Sequence, residues 1–125
     1  MRRVITFAFL LSAISCAPPA CSESGERDAR KDVKLLVDDD GALAEAARGR
    51  LVERGVSAIA VLETGLYAAN PPARLRVVRT LAQIQERTGT REAAPIFAHL
   101  VAHDPDADVR EASQKAMEKA IPSLH

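Results

Sequence analysis

Two polar turns set 34 residues apart constrain this chain more than any other feature. Asp104-Pro105-Asp106-Ala107-Asp108-Val109-Arg110 has an earlier echo in Asn70-Pro71-Pro72-Ala73-Arg74-Leu75-Arg76. Each reads as a polar turn with Pro, then Ala, then an apolar residue followed by Arg, opening a helix. Self-similarity at a period of 20–50 residues marks stacked repeats, in which each unit buries its apolar face against the next.

Apolar periodicity extends the pattern into six helices. The first is expected at about 27–37, ending at Asp38-Asp39-Asp40-Gly41, a turn that both stops it and caps the next. The second runs over about 42–54, with Leu43, Ala46, Ala47 and Leu51 inward and Gly55 closing it. The third spans about 57–68, with Ile59, Leu62 and Leu66 on one face and an interior Gly65. The fourth spans about 73–87, with Leu75, Val78, Leu81, Ala82 and Ile84 inward. The fifth spans about 91–103, burying Ile96, Phe97, Leu100 and Val101. The sixth spans about 107–120, with Val109, Ala112, Ala116 and Ala120. No strand pattern interrupts them. The fold class is all-α, a short solenoid of about three antiparallel helix pairs, with repeats at about 27–55, 56–87 and 91–120 inside a domain of 27–121. Helices two, four and six align through Leu43, Leu75 and Val109, then Ala47, Arg79 and Ser113, then Arg50, Ala82 and Ala116, at spacings of 32 and 34 residues.

Composition agrees with thin helical layers. Aromatics make up only 3% of 125 residues, and Phe7 and Phe9 fall in the first ten, so Ala, Leu, Val and Ile must build the core. The formal net charge is zero, which gives no basic bias toward nucleic acid.

Residues 1–15 read as a signal peptide. Arg2 and Arg3 precede an apolar run from Val4 through Leu11 and on to Ile14, too short for a comfortable membrane span. Cleavage before Cys16 would leave 15 basic and 17 acidic side chains. Residues 16–26, rich in Pro, Ser and Gly, read as a flexible tether, and ~10 such residues span about 17–20 Å. Ala13-Ile14-Ser15-Cys16 resembles a bacterial lipobox, although Ala13 stands where that pattern prefers Leu. The resemblance implies a lipid thioether on Cys16 and a place in the cell envelope, on the periplasmic side of a membrane or secreted. Plain secretion is the alternative, with Cys16 and Cys21 free to pair.

The repeat itself is similar to the short bacterial HEAT repeat, related to phycobilisome-lyase-type repeats. The best copy is Glu92-Ala93-Ala94-Pro95-Ile96-Phe97-Ala98-His99-Leu100, then Asp104 and Asp106, then Val109-Arg110-Glu111-Ala112 and Ala116-Met117. Residues 56–87 form a second copy, with Asn70, Leu75 and Arg76 in the matching places. Residues 27–55 form a third, with Ala44 in place of the Arg. A tetratricopeptide repeat shares the period, but Leu81 and Ile84 fall where its Gly and Tyr belong. The resemblance implies that Asp104 or Asp106 with Arg110, and Asn70 with Arg76, stitch neighbouring layers. It also implies that helices two, four and six line a concave face, where Arg48, Arg74, Arg79, Glu86 and Lys115 are the exposed polar candidates for a protein partner.

Other chemistry is weaker. His99 and His103, at i and i+4, could face one metal, but they need a third ligand such as Asp104 or Asp106, and no Glu between them makes a zincin motif. Asp104, Asp106 and Asp108 imitate a calcium loop, yet Val109 stands at the required Gly and Lys115 at the closing Glu. No nucleophile elbow or phosphate-cradling Gly loop exists. The sequence therefore predicts no catalytic, cofactor or metal site. It predicts a scaffold that docks a protein, with an accessory subunit of an enzyme, in the phycobilin-lyase manner, as the alternative.

Overall fold

The computed structural model describes residues 19–39, 41–67 and 70–120. These form helices α1 (Pro19–Asp38), α2 (Ala42–Arg54), a 3₁₀ turn (Gly55–Ala58), α3 (Ile59–Leu66), α4 (Pro71–Thr88), α5 (Ala94–His103) and α6 (Ala107–Ala120). The described residues are helical throughout, joined by short turns, with no strand among them. Cys16 and the expected signal lie outside the described residues.

Caps in the sequence set the starts of α4 and α6 and the ends of α2 and α4. Asn70 accepts a hydrogen bond from the Ala73 N–H at 3.0 Å and starts α4, with Pro in the first turn, where no N–H is needed. Asp106 does the same for α6, accepting from the Asp108 and Val109 N–H groups at 2.9 and 3.1 Å. Gly55 (φ 69°) and Gly89 (φ 74°) close α2 and α4 in positive-φ backbone that an L side chain resists.

The start of α1 departs from expectation. The helix begins at Pro19, so residues 19–26, expected within a flexible tether, are helical. Ala29, Val33 and Leu36 lie at i, i+4 and i+7 and are buried, which anchors the helix to the core. Once anchored, a helix propagates cheaply, here with an Arg30–Glu26 pair at 3.0 Å across one turn.

α1 packs against α2, α3 and α4; α4 packs in turn against α2, α3 and α6; and α5 packs against α6. One continuous core runs from Ala29 to Ala116, with Phe97, Leu36, Leu51, Leu62, Leu81 and Ile84 fully buried. Gly65 makes the tightest approach. A Cβ built on it would lie 2.8 Å from Val33 Cγ1 and 3.4 Å from Val37 Cγ2, so α3 crosses α1 where only Gly fits without adjustment.

The helix faces correct the expected register. Leu43 is 57% exposed and Ala46 is exposed, while Ala44, Ala47, Leu51 and Val52 are buried. Counted from the caps Gly41, Asn70 and Asp106, the third residue is Ala44, Ala73 or Val109, all buried, and the tenth is Leu51, Thr80 or Ala116, also buried. The shared pattern is therefore spaced 29 and 36 residues apart, not 32 and 34. Leu75 and Ala82 sit half-buried at the edge of α4, and Val77 takes an inward place that the sequence reading passed over.

Candidate functional site

α4 is the central helix, and its two sides carry different chemistry. Leu75, Arg79, Ala82 and Glu86 fall at i, i+4, i+7 and i+11, one stripe facing the same way as α2 and α6. Arg48 on α2 bonds Gln83 across to α4 and Glu45 on its own helix. That hydrogen bond and the Arg48 charge hold the Glu45 carboxyl below its ordinary value. At the other end Lys119 Nζ meets Glu86 Oε2 at 2.8 Å, tying α6 to α4 across the surface. Lys115 lies 4.0 Å from Glu111 on α6.

Arg79 stands between these bridges. It is exposed, and it forms no ion pair among the described residues. On its α6 side is a hollow of about 390 Å³ lined by Leu75, Asp108, Glu111, Ala112 and Lys115. On its α2 side a second, of about 240 Å³, is lined by Leu36, Ala44, Glu45, Arg48 and Arg76. Arg79 and Lys115 line the first hollow, Arg48 and Arg79 the second, and Glu86 lies further along the α4 stripe. Arg74 does not belong with them.

Arg74 instead points toward the α5–α6 turn. Its Nε and Nη2 donate to Asp104 Oδ2 and Oδ1 at 2.8 and 3.1 Å, a two-pronged pair with side chains only 15% and 3% exposed. Burial pushes the Asp104 carboxyl upward. The Arg74 hydrogen bonds, the Asp106 N–H at 2.9 Å and the nearby Arg74 and Arg110 charges outweigh it and hold the group below its ordinary value. The expected stitches therefore change partners. Arg110 donates to the Asp104 backbone carbonyl at 2.8 Å, not to a carboxylate. Asn70 and Asp106 serve as helix caps. Arg76 leaves Asn70 alone and donates to the Leu36 and Val37 carbonyls at 2.8 and 2.9 Å, satisfying the C-terminal end of α1. Sequence gives two arginines a residue apart in one turn, and only the packing decides which reaches Asp104.

Beside the Arg74–Asp104 pair, a groove of about 420 Å³ opens between α3 and α5. Leu66, Ile96 and Leu100 lie along it, with Pro95 and Pro105 at its edges. Glu63 and the 78% exposed Tyr67 stand on the α3 side, and His99 and His103 on the α5 side. The sequence reading passed over this groove, because it depends on the separation of two helices that no local pattern encodes.

Metal ligation by three side chains is not set up. Among the described residues no group of three or more His, Cys, Asp or Glu is placed to hold an ion. Of the two expected third ligands, Asp104 binds Arg74 through both oxygens and Asp106 Oδ1 takes the α6 cap bonds. Among the described residues no helix is long and apolar enough to cross a membrane. Compared with protein-family models, curated proteins and solved structures, the chain matches none of them.

Proposed function

We propose that this chain is a non-enzymatic protein-docking module of the bacterial cell envelope, built as a short HEAT-like solenoid and held at a membrane by lipid on Cys16. The observation that carries the docking role is Arg79. It is an exposed cation without an ion-pair partner among the described residues, between two hollows on a face whose other charges are largely bridged to one another. An unpaired guanidinium suits the carboxylates of an acidic protein segment, which it can take in two-pronged fashion.

In-cell crosslinking from a photoreactive residue at position 79, beside a Cys16→Ala version, tests this reading. It expects one dominant envelope protein, captured by the native anchor and lost with Cys16→Ala. Absence of any crosslink in both versions sinks it. The α3–α5 groove favours a second reading, an accessory subunit of an enzyme, because its volume lies within the usual range of small-molecule sites. Saturable uptake of a chromophore or similar flat apolar ligand by the purified chain would favour that alternative.

A further inference from the structure

We propose that His99 and His103 form an open two-imidazole chelate for a divalent transition-metal ion of the zinc, nickel and copper class, at the mouth of the α3–α5 groove. The two rings stand one helical turn apart, with centroids 4.7 Å apart and planes inclined by 45°. With metal–nitrogen bonds of ~2.0–2.1 Å and a ring nitrogen about 1.1 Å from its centroid, imidazoles subtending roughly 90–110° at one ion have centroids about 4.5–5.2 Å apart. The observed separation falls inside that window. That separation lets one nitrogen of each ring meet at a common point once the exposed side chains rotate about their own bonds.

The surroundings leave the pair available. Both residues are exposed and both line the groove, so neither is used up in the core. Neither ring has a hydrogen-bond partner among the described residues. The remaining coordination positions go to water, because no third His, Cys, Asp or Glu among the described residues is placed to join the pair. Neutral imidazole selects borderline ions over the hard Mg²⁺ and Ca²⁺, which prefer oxygen. Histidine ligands in strong sites pass their second N–H to a carboxylate or carbonyl, and losing such support weakens a site about 10–100-fold. This chelate has none among the described residues, so it is a modest, exchangeable site.

The test is calorimetric titration of the full chain, without a polyhistidine tag, with Zn²⁺ and Ni²⁺, alongside NMR of the imidazole rings. The expected result is one saturable site at which two of the three imidazoles respond together. His99→Gln and His103→Gln should each weaken it at least about tenfold, the scale seen even for supporting groups, while His125→Gln leaves it intact. Both substituted positions are exposed, and far-ultraviolet circular dichroism checks that the helices persist. Four outcomes would overturn the proposal: no saturable heat with either metal, binding indifferent to both Gln variants, binding lost with His125→Gln, or an equal response to Mg²⁺.

Discussion

Where α1 and α3 meet α4, the junction is mainly apolar, with Arg76 donating to the Leu36 and Val37 carbonyls at the end of α1; where α4 meets α6 and the turn before it, buried polar groups do much of the joining. Around Gly65 the neighbours are Val33, Val37 and Val77, with Leu36 and Leu62 buried in the same core. Between α4 and α6, Gln85 Nε2 donates to the Ala116 carbonyl at 2.9 Å, Ser113 is fully buried, and the Arg74–Asp104 pair closes one end. An apolar junction is adhesive but undirected. A two-pronged ion pair and a side-chain amide demand particular angles. The second junction therefore fixes how α6 and its turn sit on α4, and the α3–α5 groove opens beside that pair.

The largest expected effect tests the apolar side. Leu62→Ala removes a fully buried side chain, and such truncations cost about 2–5 kcal/mol. Denaturant unfolding should show a loss in that range. A loss below about 1 kcal/mol would mean that the α1–α3–α4 junction relaxes freely, and the contrast with the directed junction would fail.

Next comes the polar side. Asp104→Asn keeps the shape but leaves the largely buried Arg74 facing a neutral amide. Breaking a buried pair costs about 3–5 kcal/mol, and the hydrogen bond that Asn can still accept reduces this to about 2 kcal/mol. The pair also has a pH signature. The folded carboxyl titrates below its unfolded value, so its contribution is complete above about pH 4 and fades as pH falls through the folded value. Stability of the native chain measured against pH should fall in that acid range more steeply than that of Asp104→Asn. Parallel profiles would remove the ion pair from the account of this junction.

Gly65→Ala separates packing from helix propensity. Alanine gains up to ~1 kcal/mol in a helix interior. Its Cβ, however, would meet Val33 Cγ1 at 2.8 Å, and a β-branched side chain in a helix has little rotamer freedom to retreat. Overpacking costs about 1–3 kcal/mol, so the net expectation is a loss near 1 kcal/mol in thermal or denaturant unfolding. A gain would show that α1 and α3 can part by a few tenths of an ångström, a looser crossing than the backbone suggests.

Legibility in the sequence followed the range of the interactions. The bounds of α2 and α6 were readable because Gly41, Gly55 and Asp106 act within one turn of themselves. The start of α1 was hidden because residues 19–26 have no apolar period of their own and are helical by continuation from Ala29, Val33 and Leu36. The face of α2 was misread because Leu43 outweighs Ala44 in hydropathy, whereas the small residues Ala44 and Ala47 are the ones buried. The charged set Arg48, Arg79, Glu86 and Lys115 came from the family resemblance, which assigned one side of helices two, four and six to a partner. Arg74 fell out of it because a partner 30 residues away, Asp104, decides where that side chain goes.

Ser113 gives the smallest effect and the finest cut through the comparison. Its hydroxyl is fully buried without a hydrogen-bond partner among the described residues, and Gln85 Oε1 is likewise unmatched. An unmatched buried polar group costs about 1–3 kcal/mol, whereas an apolar replacement of similar shape is close to neutral. Counted from the caps, Ser113 holds the place that Val77 holds in α4, a buried apolar position. Ser113→Ala should therefore leave stability unchanged or raise it by up to ~1 kcal/mol, read as a shift in the denaturant midpoint at constant slope. A loss above about 1 kcal/mol would instead make the hydroxyl part of the polar joining of α4 to α6, and the directed character of that junction would extend from its ends into its centre.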